Sequence, residues 1–138
     1  MQKKQKRQSG FTLVELLVAI TIFAFGLLGI AGMQITSIRA NSSANTMSVA
    51  TSLAQGVLEE VMARGTTDPL FSVDVAEMVW DLAPSDDGET VVTIAGAGTY
   101  SATCTIDADN PVANVARIDV VVSNGNRTVN LTGFKRVI

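Results

Sequence analysis

Ser9 to Met33 reads SGFTLVELLVAITIFAFGLLGIAGM, and this stretch decides how the chain is organised. From Leu16 to Ile38 the sequence runs for 23 residues without a charged side chain. A helix of that length rises roughly 30 Å or a little more, which is the thickness of the hydrocarbon core of a bilayer. The stretch therefore predicts a membrane-spanning helix.

Glu15 is the one charged residue inside this apolar stretch. An ionisable group within a membrane segment costs about 2.5 to 3.5 kcal/mol unless it is paired, so we expect a cationic partner. A basic cluster lies shortly upstream: Lys3, Lys4, Lys6 and Arg7. The cluster is followed by Gly10, a small residue that lets a protease approach the backbone. Cleavage after Gly10 would create an amine on Phe11, four residues before Glu15 and on the same face of a helix containing both.

The run from Gly10 to Ile20, GFTLVELLVAI, follows a basic leader of ten residues and resembles the N-terminal motif of type IV pilins and of the pseudopilins of type II secretion. The resemblance implies that a prepilin peptidase removes the leader after Gly10 and methylates the new N-terminal Phe11. It also implies that Glu15 guides each subunit onto its neighbour by pairing with that neighbour's Phe11 amine. About the first third of the chain carries the resemblance.

Two simpler interpretations explain less of this stretch. A secretory signal peptide has an apolar core of about 7 to 15 residues followed by a small-x-small cleavage site; the run here is longer, and Gly29-Ile30-Ala31 is only a passable site. A plain single-pass anchor accounts for the length and the basic flank. It leaves Glu15 and the Gly10-Phe11 junction unexplained, and intramembrane acids are rare without a role.

Length and charge set limits on the remainder of the chain. With 138 residues there is room for one small domain besides the anchor. Removal of the leader leaves six basic and thirteen acidic side chains, a formal charge near −7. This composition lacks a basic footprint, so nucleic-acid binding is not evident. Lysines and arginines beside a spanning helix stay on the cytoplasmic side, so the leader is expected in the cytoplasm and the C-terminal part in the periplasm.

The predicted fold class is α+β, a long N-terminal helix packed on a small antiparallel sheet. Past Met33 the helical pattern continues with an apolar stripe at three- and four-residue spacing: Met47, Ala50, Ala54, Val57, Leu58 and Val61. Arg64 and Gly65 form a stop signal, which gives a helix from about Phe11 to Arg64. The predicted organisation is a leader at 1–10, a transmembrane half at 11–33, an amphipathic half at 34–64 and a head domain at 65–138.

Three glycines interrupt strong helix formers near the outer end of the span: Gly26, Gly29 and Gly32. Each costs roughly 1 kcal/mol relative to alanine in a helix interior, so residues 25 to 33 are expected to lose helical hydrogen bonds in an assembled filament. The alternative is close helix packing through small residues. Both interpretations remain open from the sequence.

Valine- and threonine-rich runs predict the strands of the head. The predicted sheet has three to five strands, with candidates at 71–75, 89–94, 99–106, 115–123 and 127–132, and with part of the fourth candidate, Val120 to Val122, buried on both faces. Turns are expected at 84–88, 95–98, 107–111 and 124–126. Trp80 and the lone Cys104 are interpreted as core residues.

Catalytic and metal sites find no support in the sequence. The chain has no histidine and no recognisable triad. The run from Asp107 to Asn110 lacks the glycine and the distal glutamate of a calcium loop. We therefore expect a protein that is not an enzyme and that uses no cofactor.

The run from Gly26 to Gln34, followed by an alanine- and serine-rich amphipathic helix, resembles the minor pilins that initiate or modify a type IV pilus. The resemblance implies that this chain is such a minor pilin. The expected partners are a prepilin peptidase, the inner membrane, a major pilin and other minor pilins. The lone Cys104 leaves the head without a disulfide-closed end loop, which fits an accessory subunit. A minor pseudopilin of a type II secretion system is the first alternative. A membrane-tethered extracytoplasmic binding domain that never assembles is the second.

Overall fold

A computed structural model describes residues 10–83, 89–125 and 127–138. The helix α1 spans Leu13–Ala63, and a short 3-10 turn covers Pro69–Phe71. Five strands follow: β1 at Val75–Trp80, β2 at Val92–Ile94, β3 at Gly98–Asp107, β4 at Val115–Ser123 and β5 at Thr128–Arg136. One long helix before an antiparallel five-stranded sheet confirms the α+β class and the pilin-like arrangement.

The sheet has the order β1-β3-β4-β5, and β2 pairs with β3 as well. Every pairing is antiparallel. The two longest ladders are regular, running from Ser101↔Ser123 to Asp107↔Arg117 and from Val115↔Arg136 to Ser123↔Thr128. The pairing of β1 with β3 shifts register between Val75 and Met78, which marks a bulge. Among the described residues, β1 and β5 each pair on one side only.

The chain divides into two compact units, Met1–Ala40 and Asn41–Ile138. In the first unit the described backbone is helical from Leu13 onward. The second unit contains the core, in which one stripe of α1 and the alternate residues of the strands are buried together. The stripe is Ala50, Ala54, Val57 and Val61, and the strands contribute Tyr100, Ala102, Cys104, Ile106, Ala116, Ile118, Val120, Val122 and Val129.

Two residues of β5, Gly133 and Lys135, contact α1 directly. A Cβ atom at Gly133 would lie 2.8 Å from Leu58 Cδ1, so a larger residue there would force the Leu58 side chain to shift. Lys135, 8% exposed, donates hydrogen bonds from its ammonium to the backbone oxygens of Met62 and Arg64. The same ammonium lies 4.9 Å from the centre of the Phe71 ring. The last turn of α1 holds no basic residue, so β5 supplies the cation that caps it.

The end of α1 lies close to its predicted position but is formed differently. The helix stops at Ala63, and the Arg64 N–H bonds to the Val61 carbonyl in a tightened turn. Gly65 is not among the glycines with positive φ, which are Gly96, Gly98 and Gly125. The stop predicted at Arg64 and Gly65 is therefore within one residue of the helix end, but Gly65 does not form a left-handed cap, and the last carbonyls are capped by Lys135.

Several strand predictions are confirmed and others need correction. β4 spans Val115–Ser123 as expected, and the turns before β3 and after β4 contain the left-handed Gly96 and Gly125. The strand expected at 71–75 is wrong, because the 3-10 turn ends at Phe71 and β1 starts only at Val75. The central part of β4 is not buried on both faces, since Val121 is only half-buried. The turn predicted at 84–88 lies outside the described residues.

Other corrections concern the ends of elements and one residue of the apolar stripe. β2 begins at Val92 rather than at residue 89, and β5 extends past residue 132 to Arg136. Met47, predicted to lie in the apolar stripe, is exposed, and the buried stripe of α1 begins at Ala50. Trp80 and Cys104 are buried, as expected.

Candidate functional site

The start of α1 is fixed by a side-chain cap on Thr12. Thr12 Oγ1 accepts a hydrogen bond from the Glu15 backbone N–H at 3.2 Å, and the Leu16 N–H bonds to the Thr12 carbonyl at 3.2 Å. Thr12 is thus the N-cap and Glu15 the third helical residue, the T-x-x-E spacing of a capping box. This cap was missed from the sequence, although the spacing is a readable signal for it.

Gly10 and Phe11 lie before the helix, in exposed backbone. The Phe11 side chain is 84% exposed, and a Cβ atom added at Gly10 would meet no other atom within 4 Å. A peptidase could therefore reach the bond between them without unwinding the helix. The basic cluster predicted at Lys3, Lys4, Lys6 and Arg7 lies outside the described residues.

Glu15 is exposed in the first turn of α1. A carboxylate there is favoured by the positive end of the helix dipole. Among the described residues the ion pairs are Arg64 with Asp68 and Arg117 with Asp119, so none of them neutralises Glu15. Phe11 precedes the Thr12 cap, so it lies outside α1, whereas Glu15 lies in the first turn of the helix. That the two residues share a helix face once the chain is cut after Gly10 stays a prediction.

Large apolar side chains cover the whole circumference of the first part of α1. From Leu13 to Ile38 they are between 50% and 76% exposed, and in the described part of the chain α1 is the one helix long and apolar enough to cross a membrane. A helix that is apolar all round is normally buried in lipid or among other helices. This surface therefore needs a bilayer, or neighbouring helices, to cover it.

The polar and small residues of the same segment are compatible with both surroundings. Thr21 Oγ1 donates to the Leu17 carbonyl at 2.8 Å, and Thr36 Oγ1 donates to the Gly32 carbonyl at 3.1 Å. Gly26, Gly29 and Gly32 lie in continuous helix with open space where their Cβ atoms would be. Loss of helical hydrogen bonds at 25–33 in a filament stays a prediction.

A cavity of about 560 Å³ lies between α1 and β1 in the head. The cavity is lined by apolar residues, including Val57 and Met78, and by the charged Glu60 and Arg64. Trp80 Nε1–H donates to Glu60 Oε2 at 3.2 Å, and the Arg64 guanidinium lies 5.5 Å from the Trp80 ring centre. These charged groups have partners within the head, and their contacts fasten β1 to the helix.

Other reactive groups of the head do not assemble into a site. Burial, and to a smaller extent the charge of Asp119, raises the pKa of the Cys104 thiol from 9.0 to about 11. Such a thiol is inert, because the thiolate is the reactive form. Among the described residues, no three histidine, cysteine or acidic side chains are grouped to hold a metal ion.

Comparison with known proteins assigns the N-terminal part of the chain. Residues 5–31 match the family model described as the prokaryotic N-terminal methylation motif, which is the signature of type IV pilins and pseudopilins. No curated protein and no solved structure matches the chain. The motif covers Gly10, Phe11 and Glu15 and supports a type IV pilin or pseudopilin in general. It implies processing by a prepilin peptidase and pilin assembly, and with the apolar helix it suggests membrane anchoring.

Proposed function

We propose that this chain is a minor type IV pilin, without enzymatic activity, that helps to initiate or modify the pilus. It begins as an inner-membrane precursor with its leader in the cytoplasm and its head in the periplasm. A prepilin peptidase cuts it after Gly10 and methylates Phe11. The processed subunit then leaves the bilayer for a filament containing a major pilin and other minor pilins.

The observation that carries the proposal is the exposed apolar surface of α1 joined to the methylation motif. About 25 cal/mol is gained for each Å² of apolar surface removed from water, so this segment cannot remain in water at either stage. Lipid covers it in the precursor. In the filament, the equivalent helices of other subunits cover it, and the heads remain outside that apolar core.

Assembly is directed by the charge on Glu15. Two opposite charges 4 Å apart attract by about 4 kcal/mol at an effective dielectric constant of 20. Glu15 has no counter-ion among the described residues, and cleavage produces one, the Phe11 ammonium. Because Phe11 lies outside α1 and before its cap, the pair is best formed between neighbouring subunits, with Glu15 of one accepting the ammonium of the next.

The proposal is tested by following the Glu15→Ala variant through processing and assembly. Mass spectrometry of the protein from cells should find Phe11 as a methylated N-terminus in both the parent and the variant. Immunoblots of sheared filaments should show severalfold less of the variant. Glu15→Gln, which retains the shape without the charge, should behave like Glu15→Ala. Glu59→Ala removes an exposed acid elsewhere on α1 and is the matched control.

Three results would contradict parts of this proposal. An intact N-terminus, with no trimmed and methylated Phe11, would leave only a tethered domain that never assembles. Normal incorporation of both Glu15 variants would remove the charge-pairing mechanism. Deletion of the gene should reduce surface pili and leave protein secretion unchanged, whereas lost secretion with normal pili would assign the chain to a pseudopilus.

A further inference from the structure

The two edge strands of the head differ in charge. Glu77 is exposed on β1, with Asp74 just before the strand and Asp81 just after it. The opposite edge, β5, carries the exposed Arg136 and is preceded by the exposed Arg127. Neither arginine makes an ion pair with another described residue. One edge of the sheet is thus acidic and the other basic.

Both edges also expose a large apolar side chain on the sheet face turned away from α1. Val79 on β1 is 59% exposed, and Phe134 on β5 is 53% exposed. Side chains alternate between the faces of a strand, and the neighbours on the other face are buried, namely Trp80 on β1 and Lys135 on β5. Glu77 lies within the bulge of β1, where this alternation is interrupted, but it is exposed as Val79 is. Each edge therefore presents one charged and one apolar residue, two positions apart and both exposed.

The strand directions allow these edges to meet. Each successive pair along β1-β3-β4-β5 is antiparallel, so β5 runs opposite to β1 within one head. If two copies stand side by side in the same orientation, β5 of one lies antiparallel to β1 of the other. Chains anchored in one membrane by the same helix carry their heads on the same side of it. Among the described residues no strand occupies the outer side of either edge.

We propose that the heads of two copies of this chain associate edge to edge, with β1 of one copy adding to β5 of the next as an antiparallel strand. One register satisfies both kinds of contact at once, placing Glu77 opposite Arg136 and Val79 opposite Phe134. A shift of two residues in either direction breaks both pairs. Because the contact joins two different edges, it continues from copy to copy instead of closing a symmetric dimer. It requires neither cleavage of the leader nor a pilus.

Disulfide cross-linking of the full-length precursor in membranes tests this contact, with the prepilin peptidase absent. Two copies with different tags are expressed together, one carrying Glu77→Cys and the other Arg136→Cys. Residues opposite each other in an antiparallel pair have Cα atoms about 4.5 to 5.5 Å apart, within reach of a disulfide. The pair Val79→Cys with Phe134→Cys should cross-link as well. Thr128→Cys lies on the same face of β5, about 26 Å along the strand, and should not link to Glu77→Cys.

Charge reversal separates specific pairing from random collision. Glu77→Arg in the copy that bears Val79→Cys should reduce its cross-linking to Phe134→Cys severalfold. Arg136→Glu in the other copy should then restore the yield. The native Cys104 is buried, so its failure to react with a thiol reagent verifies that each variant is folded.

Three outcomes would overturn the proposal. The first is equal cross-linking by the matched and the Thr128→Cys pairs. The second is a Glu77→Cys to Glu77→Cys product, which would indicate a symmetric dimer through β1. The third is the absence of any link between copies while Cys104 remains protected. None of these results bears on methylation of Phe11 or on filament incorporation, so the minor-pilin function is tested separately.

Discussion

Replacing Lys135 by methionine tests the cap that β5 places on the end of α1. The substitution retains the length of the apolar stem and removes the ammonium. In the native head that ammonium donates to the carbonyls of Met62, at 2.6 Å, and of Arg64, and it faces the ring of Phe71. The change therefore removes three contacts of one buried charge and leaves the surrounding core packing in place.

The expected loss of stability is about 2 kcal/mol. A hydrogen bond from a charged donor contributes about 1.5 to 3 kcal/mol, and a cation above an aromatic ring adds about 0.5 to 2 kcal/mol. The cation at the C-terminus of a helix gains a further 0.3 to 1 kcal/mol, approximately, from the dipole. Removal of the ammonium from water opposes these gains by several kcal/mol. The gains less this cost of desolvation leave a net stabilisation of about 2 kcal/mol.

The assay uses Trp80, the only tryptophan in the chain, which is buried in the head. Thermal unfolding of the detergent-solubilised protein, followed by Trp80 fluorescence, should show a midpoint about 10 °C lower for Lys135→Met, given about 4 to 8 °C per kcal/mol for domains of this size. Arg127→Met removes an exposed cation and should change stability by less than about 0.5 kcal/mol. Equal, small changes in the two variants would refute the cap.

Two more substitutions test the core. The pKa of the Cys104 thiol is about 11 in the folded chain and 9.0 when the thiol is exposed by unfolding. Because the unfolded chain therefore loses this proton at a lower pH, the free energy of unfolding should decline as the pH rises from 9 towards 11. Cys104→Ala should abolish this slope in denaturant titrations at several pH values, and an unchanged slope would assign it to another group. Gly133→Val places atoms against Leu58 and should cost about 1 to 3 kcal/mol. A double-mutant cycle with Leu58→Ala should recover part of that loss, and strict additivity would show that the two residues do not clash.

The long helix and β4 could be predicted because their signals are local. A charge-free run of 23 residues specifies a spanning helix by its length. The nine residues of β4 alternate between half-buried and buried positions without interruption. β1 was misplaced because its bulge between Val75 and Met78 inserts an extra residue, and this breaks the period of two that identifies a strand. The sequence prediction ends β5 at residue 132, just before Gly133. In the structure the strand continues through Gly133, because the glycine marks a close contact with Leu58 of α1 and not the end of the strand.

The candidate site shows the same division between local and distant signals. Gly10, Phe11 and Glu15 were identified from the sequence because the motif is contiguous, and the family model covers all three. Thr12 could have been found from its spacing to Glu15. Lys135 could not, because the backbone groups it caps lie more than 70 residues earlier in the chain. The opposed charges of the sheet edges became visible only when the strand order was known.

The hydroxyl groups of Thr21 and Thr36 bear on the proposed transfer of the apolar helix from lipid into a filament. Each donates to the carbonyl one turn earlier in its own helix, so neither needs a partner from solvent, lipid or protein. An unsatisfied hydroxyl in an apolar medium would cost roughly 2 to 7 kcal/mol. In the proposed transfer of this segment from lipid to contact with other helices, these groups need not exchange partners. For these two hydroxyls, the proposed transfer would only replace one set of van der Waals neighbours with another. Their hydrogen bonds would therefore add no energetic cost to movement of the helix in either direction.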